Sequence, residues 1–136
     1  MRAFVDSNIF IYAVQAHPEF GGACRDIVAD IEKGKIVATT STLNISEVGE
    51  VIDRYAGRKE SCRVVELLLA LPMDISPVVK EHLIMALGYF NEHSTNYFDC
   101  VFLALMEEKF IDVIITNDRH FENVDGIKVI TPKRYV

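Results

Sequence analysis

Short apolar runs recur along this chain, and most of them end on residues with turn or cap chemistry. Residues 3–5 are apolar and give way to Asp6, Ser7 and Asn8, after which a longer apolar run covers residues 9–16. That pattern predicts a strand followed at once by a helix, with Ser7 or Asn8 as its cap. After a turn over residues 18–22, residues 23–33 read as a helix with Ile27, Val28 and Ile31 at helical spacing, stopped by Gly34. A strand over 36–39 runs into Thr39-Thr40-Ser41-Thr42, a cap-rich turn. A helix over residues 43–55 follows, with Ile45, Val48, Ile52 and Tyr55 as its buried stripe, and Gly57 stops it. Residues 60–71 form another helix, apolar around more than one face through Val64, Val65, Leu67, Leu68, Leu69 and Leu71, and Pro72 ends it.

The second half repeats the alternation. Residues 73–75 read as a short strand, with Ser76 as cap and Pro77 as first residue of a helix reaching residue 90. A polar loop over 91–95 precedes the most apolar helix, 96–110. A strand over 113–115 leads into Thr116-Asn117-Asp118, and a last strand over 128–130 is closed by Pro132. Strands alternating with helices, on connections too long for hairpins, predict an α/β fold: a parallel sheet in three layers with right-handed crossovers. No repeat or linker divides residues 1–136, which read as one domain.

Composition narrows the class. Half of the 136 residues are hydrophobic, enough for a sizeable core, with no uninterrupted apolar span and no signal-peptide pattern at the N-terminus. Cys24, Cys62 and Cys100 are odd in number and lack metal or redox spacing, which reads as reduced thiols in a cytoplasmic protein. A net charge of −6 counts against a plain nucleic-acid-binding module. It is compatible with an enzyme whose acids are neutralised by a metal ion.

Four acids carry candidate chemistry. Asp6 and Asp118 each follow a strand, so if those strands are neighbours the two carboxylates share one sheet edge. Each also has a bland reading as a cap. Asp99 has Phe102, Leu103 and Met106 on its face, where an ionised carboxylate is costly unless paired or metal-bound. The alternative is a capping box, with Asn96 as N-cap and Asp99 at the third helical position. Glu47, flanked by Leu43 and Val51, borders the apolar side of its helix. Glu50 is a rival that a helical wheel does not cleanly separate. Clustered carboxylates need a cation, and all-oxygen sites select Mg²⁺ or Mn²⁺. Such ions activate water for phosphodiester cleavage.

The ordered set Val5-Asp6-Ser7-Asn8-Ile9-Phe10, Glu47, Asp99-Cys100-Val101-Phe102-Leu103-Ala104-Leu105 and Thr116-Asn117-Asp118-Arg119-His120-Phe121 resembles the PIN domain. The resemblance spans essentially the whole chain. It implies a five-stranded parallel sheet between helices and a Mg²⁺- or Mn²⁺-dependent endoribonuclease with Asp6, Glu47, Asp99 and Asp118 as catalytic metal ligands. By motif it also selects Glu47 over Glu50. Ser7, Asn8 and Thr116 match supporting positions. His120 stands where the family often has an acid, so a fifth acid is missing or comes from elsewhere, such as Asp125. The compact chain is similar to VapC toxins of toxin–antitoxin pairs, which implies an RNA substrate, an antitoxin partner, a homodimer and no membrane association. The Val64–Leu71 segment is then a dimer or antitoxin surface, or plain core. Arg54, Arg58, Lys59 and Arg63 around the Gly57 turn, and Arg119, are candidate RNA phosphate contacts. Alternatives to the toxin reading are a PIN ribonuclease in RNA processing and a catalytically weak RNA- or protein-binding module. His17, His82 and His93 have no ligand partner at suitable spacing.

Overall fold

The computed structural model describes residues 1–135. Five strands form one all-parallel sheet: β1 (Arg2–Val5), β2 (Val37–Ser41), β3 (Asp74–Ser76), β4 (Val113–Ile115) and β5 (Lys128–Ile130). Their order across the sheet is β3-β2-β1-β4-β5. Between strands run helix pairs: α1 (Ser7–Gln15) and α2 (Gly21–Glu32), α3 (Thr42–Ala56) and α4 (Arg58–Ala70), then α5 (Lys80–Glu92) and α6 (Tyr97–Glu108). The chain moves outward from β1 to β3, then jumps back over β1 to β4. Right-handed crossovers put helices on opposite faces for the two directions.

The two-residue period of the central strand shows the same division. Ala3 and Val5 pack with α1, α2, α3 and α4 in one core, whereas Phe4 faces the other side and packs with α6. Phe4 and Phe102 lie 5.4 Å apart between ring centroids. Ile115 and Ile114 repeat the alternation on β4. Helix α6 is buried on all sides through its middle, from Asp99 to Met106, because it lies between the sheet and α5. Its near-continuous apolar sequence has that cause. β1 is the switch point: chain departures diverge to either side of it, leaving a crevice beyond the strand ends.

Several local expectations differ from the structure. Asp6 itself is the N-cap of α1, its side chain accepting from Ser7 N at 2.8 Å, in place of Ser7 or Asn8. Ser76 ends β3, Pro77 precedes α5 by three residues, and Val79 is the cap. There His82 does the work of a cap: its Nδ1 accepts from Val79 N at 3.0 Å while Nε2 meets Glu108 at 2.7 Å. Tyr55 is exposed rather than part of a buried stripe. Helix α4 begins at Arg58, and only Val64 and Leu68 are buried in it, with Leu67 and Leu69 on the outside. Cys24, Cys62 and Cys100 are all free thiols. No described helix is long and apolar enough to cross a membrane.

The α1–α2 junction turns tightly under the first helix. A Cβ at Gly21 would stand 2.8 Å from the Ala16 carbonyl carbon, whereas one at the next residue, Gly22, would meet nothing within 4 Å. Gly21→Ala is therefore expected to destabilise the fold by about 1–3 kcal/mol through overpacking. Gly22→Ala should be neutral or stabilise by up to about 1 kcal/mol through helix propensity. Urea denaturation of the two variants checks this. Equal effects would contradict the close approach.

Candidate functional site

The backbone delivers Asp6 and Asp118 to the same sheet edge. β1 and β4 are paired in register Phe4↔Ile114 and Val5↔Ile115, so both strands leave the sheet side by side. Asp6 N extends the pairing by donating to Ile115 O at 3.0 Å. Asp6 is 7% exposed and is the most heavily hydrogen-bonded acid of the site. Its Oδ1 accepts from Ser7 N at 2.8 Å and Asn44 Nδ2 at 3.3 Å, and its Oδ2 from Thr116 Oγ1 at 2.8 Å and Asn8 Nδ2 at 3.4 Å.

Two hydroxyls join Asp6 to the neighbouring acids. Ser7 Oγ donates to Glu47 Oε1 at 2.5 Å, which brings the second turn of α3 to the site. Glu50 lies near Arg54 instead, at 3.9 Å on the exposed side of α3. Thr116 uses its full capacity: it donates to Asp6 and accepts from Asn8 Nδ2 at 3.2 Å and Asp118 N at 2.9 Å. Asn8 Oδ1 in turn accepts from Asn117 N at 3.1 Å. The supporting positions Ser7, Asn8 and Thr116 thus all have a physical task.

Asp99 enters from the opposite layer. Asn96 caps α6 by accepting from Asp99 N at 2.9 Å, one half of the capping-box alternative. The other half is not formed. The Asp99 carboxylate turns to Thr95, whose Oγ1 donates to Oδ2 at 2.5 Å. The cap reading of Asp99 accounts for its backbone only: the side chain, 5% exposed, is turned toward the other acids and feels the charge of Asp118. Asp118 Oδ1 accepts from His120 N and lies 2.9 Å from His120 Nδ1. Asp99, Asp118 and His120 each offer one ligand atom, all within 4.8 Å of one another.

Burial dominates the electrostatics. Asp6 is pushed up to about 6, first by desolvation and then by the neighbouring charges of Asp99 and Glu47, against the lowering effect of Thr116 and Ser7. Asp99 is also raised, chiefly by burial and then by Asp118, despite the Thr95 hydrogen bond and the His120 imidazole. No ion pair among the described residues brings a lysine or arginine to any of the four acids. Oxygen donors held together without a countercharge fit a hard divalent cation.

The remaining candidates fall elsewhere. Asp125 stands in the turn leading into β5, whose first residue Lys128 pairs with Val113, so it lies toward the edge where the strands begin. His120, not Asp125, groups with Asp99 and Asp118. Arg54 is seven residues beyond Glu47, about 10 Å further along the helix axis, and Arg58, Lys59 and Arg63 follow it. Arg63 is paired with Glu60. Arg119 lines a cleft of about 260 Å³ together with Phe20, Asn117, Lys133 and Arg134. Sequence reasoning missed Asn44, Thr95, Lys133 and Arg134. The Ser41-x-x-Asn44 spacing is a cap signal that could have drawn attention to Asn44: its Oδ1 accepts from Ser41 N while its amide reaches Asp6.

The PIN domain family model matches residues 3–127. No curated protein matches the chain significantly. Among solved structures, the chain is similar to the sarcin–ricin-loop-cleaving toxin VapC20 of Mycobacterium tuberculosis, at TM-score 0.73 and 18% identity over 88% of this chain and 92% of that one. It is similar to VapBC2 of Rickettsia felis, bound to a DNA fragment from its promoter, at TM-score 0.73 and 13% identity over 96% and 98%. DNA-bound VapBC of Salmonella typhimurium gives TM-score 0.68 and 18% identity over 97% and 99%. These likenesses establish a shared fold.

The raised carboxyls have a consequence for folding. In the folded protein Asp6 holds its proton up to about pH 6, whereas in the unfolded chain it loses it near the ordinary aspartate value of 3.8. Its stabilising contribution is present below that lower value and is lost as pH rises through 6, a swing of about 3 kcal/mol at most. Asp99 acts in the same direction. Metal-free protein is therefore expected to lose stability between about pH 4 and pH 7 in urea melts with chelator, and Asp6→Asn should flatten the slope. A wild-type profile that is level or rising across this window would refute the burial argument.

Proposed function

We propose that this chain, which belongs to the PIN domain family, is a metal-dependent endoribonuclease acting as the toxin of a toxin–antitoxin pair. The observation that carries this reading is the convergence of Asp6, Glu47, Asp99 and Asp118 beyond one sheet edge, where among the described residues no lysine or arginine is ion-paired to them. Asp99 and Asp118 would hold a Mg²⁺ or Mn²⁺ ion, with Asp6 and Glu47 completing the oxygen set. A divalent ion bound there supplies an activated water and stabilises charge on phosphate oxygens.

The chain's own groups do the positioning. Ser7 fixes the Glu47 carboxylate, which would ligate the ion or orient the attacking water and accept its proton. Thr116 holds Asp6 and the Asp118 backbone in a fixed relation, so the ligand set does not spread under its own repulsion. Cleavage is direct hydrolysis, without a covalent enzyme intermediate.

The cleft beside Asp118 supports a single-stranded polyanion as substrate. Arg119 and Arg134 share one carboxylate, Glu122, at 3.2 Å each, and Lys133 has no ion pair among the described residues. Phe20 forms one wall. An antitoxin is the expected protein partner, and a groove of about 430 Å³ among α1, α2 and α4, lined by Phe10, Val14, Leu67 and Leu71, supports an apolar segment as its contact. A second copy of the chain is supported by the exposed Leu83, Ile84, Leu87 and Phe90 of α5. Free thiols and the absence of a spanning helix among the described residues fit action in the cytoplasm.

Asp99→Asn is expected to reduce RNA cleavage by about 100-fold or more, as excess chelator should in the wild type, with unchanged circular dichroism and an equal or higher melting temperature. Full activity in either case would refute the mechanism. In an Asp99→Asn background, Lys133→Ala with Arg134→Ala should weaken single-stranded RNA binding. The slope of log K against log salt should fall by about 0.7 for each phosphate that the side chains no longer neutralise. If only Arg58→Ala with Lys59→Ala changes that slope, the RNA runs instead over the turn between α3 and α4.

A further inference from the structure

The inner and outer halves of the site differ in chemistry. Asp6 sits inside, with both oxygens occupied by hydrogen bonds from Ser7, Asn8, Asn44 and Thr116. The outer half is Asp99, Asp118 and His120, and here one of the three donors is an imidazole nitrogen. His120 is on the short 3₁₀ turn that Asp118 caps, so its position follows from the strand end that delivers Asp118. Its ring reaches back over that carboxylate, with Nδ1 2.9 Å from Asp118 Oδ1.

We propose that His120 is a metal ligand that makes the outer half of the site a mixed oxygen–nitrogen site and biases this protein toward Mn²⁺ over Mg²⁺. The inference rests on the reading of the four acids as a metal site and adds to it the choice of ion. Mg²⁺ is the harder ion, takes oxygen ligands and keeps its waters. Mn²⁺ also takes oxygen, but as a first-row transition ion it accepts an imidazole nitrogen more readily than Mg²⁺ does. The spacing suits one ion. Ligand atoms on a common octahedral ion at about 2.1 Å stand at most about 4.2 Å apart, and the three atoms here lie within 4.8 Å before any ion draws them together. The two carboxylates are held by α6 and by the end of β4, and His120 is two-thirds exposed, so the closing movement falls to the imidazole.

A structural alternative is that His120 only neutralises Asp118. That role would be served by any imidazole–carboxylate pair and would not discriminate between divalent ions. The distinction is measurable without RNA.

Calorimetric titration of Mn²⁺ and of Mg²⁺ into metal-free wild type, His120→Asp and His120→Ala tests the proposal. The Mn²⁺-to-Mg²⁺ affinity ratio should fall by about tenfold or more in His120→Asp, which keeps a ligand but removes the nitrogen. Pulsed electron paramagnetic resonance of bound Mn²⁺ should show coupling to a ¹⁴N nucleus in the wild type and lose it in His120→Ala. Asp99→Asn serves as the control that the ion lies in this site, since it should weaken Mn²⁺ binding in either background. Binding at the site with an unchanged ratio and no nitrogen coupling would overturn this inference alone. Absence of any Mn²⁺ or Mg²⁺ binding sensitive to Asp99→Asn would overturn it together with the nuclease reading.

Discussion

The constraint on which this structure depends is the burial of a carboxylate at the end of the central strand. Asp6 is 7% exposed, with no cation among the described residues to pair with it. Such a group is costly unless donors surround it. The donors come from three separate parts of the chain: Ser7 and Asn8 on α1, Asn44 on α3 and Thr116 beyond β4. Satisfying one side chain therefore fixes how α1, α3 and the β4 exit sit against one another. The same hydrogen bonds align Glu47 and Asp118, because Ser7 and Thr116 each bond to two partners in the site.

The arrangement does not remove the electrostatic cost. Burial outweighs the hydrogen bonds at Asp6 and at Asp99, so both carboxyls titrate above their usual range. Asp99 adds its charge from the other side of the sheet, on a helix that the second core encloses. The fold thus brings repulsive groups together from both helical layers at the point where the chain changes direction about β1. Natural sequences break local rules of stability chiefly where function requires it, which makes this edge the candidate site.

Much of the architecture is readable from periodicity. The alternation of short apolar runs and helical stripes implies a parallel α/β sheet, and the five strands occur close to where the runs end. Asp99 stands out because an acid on an apolar face conflicts with its surroundings, and that conflict is local. Asp6 and Asp118 at strand ends read equally well as caps, and Glu47 is separated from Glu50 by the resemblance to the PIN domain. Asn44 conflicts with nothing nearby and reaches Asp6 only once α3 meets the end of β1, whereas Thr95 acts on Asp99 four residues on and breaks no local rule that would single it out. Pro77 points to a helix start one turn too early because its preference is local, whereas the start of α5 is set by His82 reaching Glu108 on α6. Tyr55 and Leu67 match the spacing of buried stripes but face outward, since each helix is covered on one side only. Lys133 and Arg134 become neighbours of Arg119 only when the last strand pairs with β4.

The rigid and the adaptable parts of the site are separated by secondary structure. Asp6 and Asp99 are held by the central strand exit and by a fully enclosed helix, where a change of side-chain volume would press on the adjacent cores. Arg119, His120, Lys133 and Arg134 stand on 3₁₀ turns at the rim, outside both cores. Substitutions there are cheap for the fold. On the proposed nuclease reading, the rim can therefore vary what approaches the acids at little cost to the fold, whereas the acids themselves have no such freedom.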